Sequence, residues 1–255
     1  MTANADVSSA NTVGFQTINL VEGKWYMVVP QFVKTGATEG DTFNALDVLS
    51  FNGLNAGTFN TRETKAPQIH VHRSTDNGYD KYYLISDSKS AGQNVTSWAT
   101  GRAAESAITV KKYKGFWFKA LNISDGATLT VAGEVRDLSK PVVVTVGTEG
   151  VWQMISNPFP CALNVENISV DGMTPGTFAT RDEVAPQMQV HRPSDNGYDK
   201  FYYISDSKDA GKNVTSWTSG RAAMLTGKIC DAGKAFWLKV PNGTATVTFT
   251  MPTEN

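Results

Sequence analysis

Apolar and polar residues alternate with a period of two along much of the chain. Ile69 and Val71 alternate with His70 and His72, and Met188 and Val190 alternate with Gln189 and His191. This is the pattern of strands with one buried face. Asp76-Asn77-Gly78 separates the first run from Lys81 to Ile85, and Asp195-Asn196-Gly197 follows the second. Asn-Gly accepts the positive φ of a tight turn, so each predicts a hairpin. Near the end of the chain, Ala245, Val247, Phe249 and Met251 share one side, and Thr244, Thr246, Thr248 and Thr250 the other. That describes a half-buried strand with a β-branched polar outer face. Pro141 to Val146 reads as a further strand. Closely spaced strands with Gly, Asn and Pro turns predict an all-β protein of antiparallel β-sandwiches or small β-barrels. Helix is expected only as a turn near Ala103 to Ser106.

The pattern recurs because the chain repeats. At an offset of 119, Gly57–Ala104 matches Gly176–Ala223 at 34 of 48 positions, which predicts two copies of one supersecondary unit. The shared skeleton reads GTF-x-TR, AP-Q, VHR, DNGYDK, ISDSK, AG-x-NVTSW and GRAA. The expected organisation is a polar segment over residues 1–11, one β-module over 12–137 and a second over 138–255. The short connection near Asp137 to Lys140 predicts that the modules pack as a rigid pair. About eight extra residues near Val33 to Asp41, rich in Gly and Thr, predict a longer surface loop in the first copy.

Charge removes several function classes. A net charge of -1 and a pI of 6.3 leave no basic field for a nucleic acid backbone. No apolar run is long enough to span a bilayer, so membrane insertion is not expected. Charged residues are only 18%, a balance that fits secreted sheet proteins. Met1 to Asp6 lack the blocks of a signal peptide and Ala3 to Asn11 are small and polar, so the expectation is a mature secreted or cell-surface chain whose signal peptide has been removed. No nucleophile elbow, catalytic Cys-His arrangement or phosphate-cradling loop is present, and the chain reads as non-enzymatic.

Four groups of residues carry candidate chemistry. Arg62, Tyr79, Trp98 and Arg102 recur as Arg181, Tyr198, Trp217 and Arg221. Flat aromatics beside planar donors suit sugar binding, and equally suit a core with loop-tying arginines. Asp76 and Asp80, repeated as Asp195 and Asp199, offer oxygens to calcium, although a plain hairpin turn explains them too. No other cofactor is expected. His70, His72 and His191 are the only imidazoles, and Gln189 replaces His70 in the second copy, which weakens a metal-site reading. Cys161 and Cys230 are either a disulfide or two buried thiols.

The order of motifs resembles a module of secreted and surface proteins of Verrucomicrobia, Planctomycetes and related bacteria. The resemblance rests on Gly150-Val151-Trp152-Gln153-Met154-Ile155-Ser156-Asn157-Pro158, Asn77-Gly78-Tyr79, Trp98, Gly115-Phe116-Trp117 and Gly133-Glu134-Val135. The chain departs from it at Val29-Pro30-Gln31-Phe32 and at Met251-Pro252. The resemblance implies export and a surface role, and no defined active site. The functional expectation is an extracellular structural protein that self-assembles into a filament, tube or surface layer, with residues 1–11 as an intersubunit arm. The alternative is a carbohydrate-binding or adhesive module, with glycans as partners.

Overall fold

The structure is a computed structural model and describes residues 13–30, 32, 42–102, 107–111, 113–135, 139–146, 150–192, 195, 197–220, 225–241 and 243–252. The N-terminal segment, the longer loop of the first copy and the turn expected at 103–106 lie outside the described residues.

The first half contains β1 (Val13–Asn19), β2 (Trp25–Val28), β3 (Thr42–Asn44), β4 (Leu49–Leu54), β5 (Gln68–His72), β6 (Tyr79–Ser90), β7 (Gln93–Ala99), β8 (Thr109–Lys111), β9 (Phe116–Lys119) and β10 (Ile123–Glu134). The second contains β11 (Val142–Val146), β12 (Trp152–Ser156), β13 (Leu163–Asn164), β14 (Ile168–Asp171), β15 (Gln187–Arg192), β16 (Gly197–Asp209), β17 (Lys212–Thr218), β18 (Lys228–Cys230), β19 (Ala235–Lys239) and β20 (Ala245–Phe249). The sheet orders are β2-β9-β5-β6-β7, β1-β10-β4 and β3-β8, then β12-β19-β15-β16-β17, β11-β20-β14 and β13-β18. The second set repeats the first strand for strand. All named pairs are antiparallel. The architecture is all-β and sandwich-like, with no closed barrel.

Alternation determines which face is buried. In β5, Ile69 faces its partner Tyr82 and both enter the core, while His70 and His72 point to the other face. The first core joins Val28, Ile69, Trp98, Phe116 and Phe118 of the five-stranded sheet to Leu49, Ala127, Leu129 and Val131 of the three-stranded one. Phe51 stacks on Phe118 at 5.5 Å and meets Trp98 at 5.4 Å. The second core repeats this with Ile155, Met188, Trp217 and Phe236 against Val142, Val144, Val247 and Phe249. Each such side chain contributes about 1.5–3 kcal/mol of burial.

Helix appears at α1 (Arg62–Lys65) and α2 (Arg181–Val184), one turn each, where none was expected. The chain here crosses the outer face of the sheet and must leave again at Pro67 or Pro186, which cannot continue a helix. Gly57 is required beneath it, because a Cβ would lie 2.9 Å from the Lys65 carbonyl oxygen. Among the described residues, no helix is long and apolar enough to cross a membrane.

Candidate functional site

The repeated aromatic and arginine residues do not converge on one surface. Trp98 and Trp217 are 6% and 4% exposed within the two cores, so neither indole offers a face for a sugar to stack on. Their position follows from register, since Trp98 pairs with Leu84 and Trp217 with Tyr203 on the inward side. Arg62 lies 4.1 Å over the Phe59 ring and donates to the Phe59 carbonyl at 2.6 Å, and Arg181 does the same with Phe178. Asp87 accepts from the Phe59 amide at 2.6 Å and pairs with Arg102 at 3.3 Å. The Tyr83 hydroxyl donates to Glu63, and Tyr202 to Asp182. The GTF-x-TR motif is therefore a latch over a small apolar patch of Tyr83, Ile85 and Ala99. Arg221 lies outside the described residues.

The hairpin carboxylates already have a cation. Arg73 holds Asp76 at 2.8 Å and Asp80 at 2.7 Å, and Arg192 holds Asp195 and Asp199 at the same distances. The Asp76 carboxylate also accepts the Gly78 amide. The Arg73 guanidinium and this amide hold its pKa down at about 2. Calcium would have to displace an arginine at either turn. Among the described residues no group of three or more His, Cys, Asp or Glu could hold a metal. Cys161 and Cys230 are not joined by a disulfide, and burial pushes the Cys230 thiol up to about 12.

The two halves meet through the outer faces of their five-stranded sheets. Met27 and Val29 pack against Met154, Ala235 and Trp237, with Trp117, Trp152, Tyr79 and Tyr198 around them. Trp237 meets His72 edge-on at 4.9 Å, and Trp117 meets His191 at 5.5 Å. Trp117 corresponds to Trp237, and His72 to His191. The contact is thus reciprocal, as in a two-fold symmetric interface. The close approach needs Gly115, whose Cβ would lie 2.8 Å from the Met154 sulfur.

One element breaks the symmetry. The connection from β8 to β9 runs along β12, where Lys114 bridges Ile155 and the Ser156 amide donates to the Tyr113 carbonyl at 3.0 Å. Tyr113 is 3% exposed and belongs to the second core. Its φ is 61°, whereas Gly233 occupies the corresponding place at 70°. A tyrosine in the left-handed region is strained, and burial across the seam offsets the strain.

Beside this bridge lies a cleft of about 830 Å³, with His72, Lys114, Val143, Thr145, Gln153 and Met154 among its walls. Lys114 is half-buried by area and its ammonium lies deep between the halves, donating to Gln153 Oε1 at 2.7 Å. Burial, then repulsion from Lys111, holds it down at about 7. The counterpart Lys234 is exposed, and Tyr26 stands where the second half has Gln153.

His72 and His191 line the seam, and these two and His70 are all held below the usual imidazole range, mainly by burial. His70 falls to about 4 from 6.5, with Lys81 adding to the effect, while it contacts Gln68 Oε1 at 3.0 Å and the Trp25 ring at 4.8 Å. The unfolded chain binds these protons first, so each contributes stability above 6.5 that is lost as pH falls, for His70 down to about 4. We expect the melting temperature to drop across that window, and His70→Gln, the residue found at Gln189, to flatten the profile. Thermal melts at stepped pH check this, and superimposable profiles refute it.

No family model, curated protein or solved structure matches the chain.

Proposed function

We propose that the chain is a non-enzymatic structural block of an extracellular assembly, joining copies of itself through open sheet edges. The carrying observation is the composition of the terminal strands. β7 and β17 end the two five-stranded sheets, so each has a row of backbone groups on its outer side, of which the Trp217 carbonyl already accepts the Leu225 amide at 2.8 Å. Proteins that stay single blunt such edges with lysine, proline or inward-pointing charge. β7 has no charged residue and no proline, and β17 has only Lys212 at its start. The same Asn-Val-Thr-Ser-Trp run occupies both edges, so the block presents like surfaces at two places, which suits open-ended addition. Bulges between Ile85 and Ser88 and between Ile204 and Ser207 bend the hairpins, so a joining strand would meet short ladders. Phe15, 76% exposed on the edge strand β1, adds an apolar contact.

The extracellular setting is supported by the low charge content and the Thr-rich outer faces. A reading as a sugar-stacking module is weakened because Trp98 and Trp217 are in the cores. Negative-stain electron microscopy and light scattering test the assembly. The wild-type chain should give ordered polymers, and Thr96→Lys with Thr215→Lys, both at exposed edge positions, should abolish them. Stability should change by no more than about 0.5 kcal/mol per site. A wild-type monomer under every salt and calcium condition would overturn the reading.

A further inference from the structure

We propose that the cleft between the halves binds a small hydroxylated carboxylate, an acidic sugar or sugar acid, whose carboxylate pairs with Lys114. The arrangement at Lys114 lacks one component. An ammonium drawn deep into a protein is normally matched by a carboxylate and further acceptors. Among the described residues its acceptor is the neutral amide of Gln153, and no carboxylate forms an ion pair with it. Lys111, exposed and also lining the cleft, adds a second cation that has no carboxylate partner among the described residues. Asp80, which also lines the cleft, is held by Arg73 at 2.7 Å, so that carboxylate is already matched. An anion entering the cleft therefore meets its strongest attraction at the Lys114 end.

The remaining wall suits a ligand rich in hydroxyls. Thr42, Ser74, Thr109 and Thr145 bring hydroxyl groups to the cleft, while Val143 and Met154 give it an apolar side. Its volume, about 830 Å³, falls within the range of small-molecule sites. The duplication supplies an internal comparison. The opposite side of the pseudo-two-fold has Tyr26 in place of Gln153, with its hydroxyl accepting the Val21 amide at 2.7 Å, and its lysine, Lys234, is exposed. The half-buried cation and its amide partner thus occur together on the side of this cleft. This site is independent of any joining of copies at the sheet edges.

Calorimetric titration of the full chain with D-glucuronate, and with D-glucose as the same ring without a carboxylate, tests the proposal. Glucuronate should bind about tenfold more tightly than glucose, a difference of about 1.4 kcal/mol. Because Lys114 sits near 7 when the cleft is empty, binding at about pH 8 should take up a proton, visible as a dependence on the buffer's ionisation enthalpy. Lys114→Met should abolish the preference. Gln153→Glu places a carboxylate on the ammonium from within, and should fold and no longer bind glucuronate, so it decides the matter should Lys114→Met fail to fold. Equal affinity for the two sugars, no binding of either, or glucuronate binding retained by Gln153→Glu would overturn the assignment.

Discussion

Replacing Tyr113 by alanine will destabilise the protein by about 3–5 kcal/mol, although this residue belongs to the half whose core it does not enter. Its ring is buried in the second core, so truncation leaves a cavity among Val142, Val144, Ile155 and their neighbours. The backbone at φ 61° stays strained in the alanine variant. Tyr113→Gly creates a similar cavity and removes the strain, as Gly233 does in the other half, so it should recover about 1 kcal/mol relative to alanine. Urea unfolding ranks the three proteins. Hydrogen exchange should show the loss first at β11 and β12. An alanine variant as stable as wild type, or a glycine variant less stable than alanine, would contradict this account of the bridge at Tyr113.

Trp237→Ala should cost a comparable amount, about 3–5 kcal/mol. Trp237 is 8% exposed and packs with Met27, Val29 and Met154 at the centre of the seam. Its counterpart Trp117 is only half-buried, so Trp117→Ala should cost less despite the reciprocal geometry. Removing the Trp237 indole also uncovers His72, whose pKa is lowered chiefly by burial and should return toward 6.5. Chemical-shift titration of that imidazole gives a local readout, separate from global stability. Should both tryptophan variants cost under about 1 kcal/mol, the seam would be a contact without energetic weight.

Much of the fold was legible in the sequence. The alternation around Ile69 and His70 correctly separates core from outer face, and the Asn-Gly turn sits where a hairpin was expected, with Asn77 at φ 55°. The strand at Pro141 to Val146 and the alternating Thr244 to Met251 also match the sheet register. The helical turns at Arg62 and Arg181 were missed, although Thr followed by Arg and an acid, with a proline soon after, is a start and stop signal. The candidate sites were harder to read because residue type does not report which neighbour arrives from elsewhere. Arg73 between two aspartates explains the DNGYDK segment, and the sequence gives no sign of that closure beyond the adjacent VHR motif. His70 and His72 were weighed as the start of a metal site, but His72 instead lies against Trp237 of the other half. Periodicity shows that a face is different. It does not show what lies against it.

The reciprocal seam has a consequence for how such a molecule can change. Two separate copies meeting through this surface would associate only in proportion to their concentration, and any substitution would appear on both sides at once. Joined in one chain, the halves face each other at a high and constant effective concentration. Each side then varies alone, which is how Tyr113 can oppose a glycine and Gln153 a tyrosine at equivalent positions. Covalent linkage turns a self-complementary surface into two that can specialise independently.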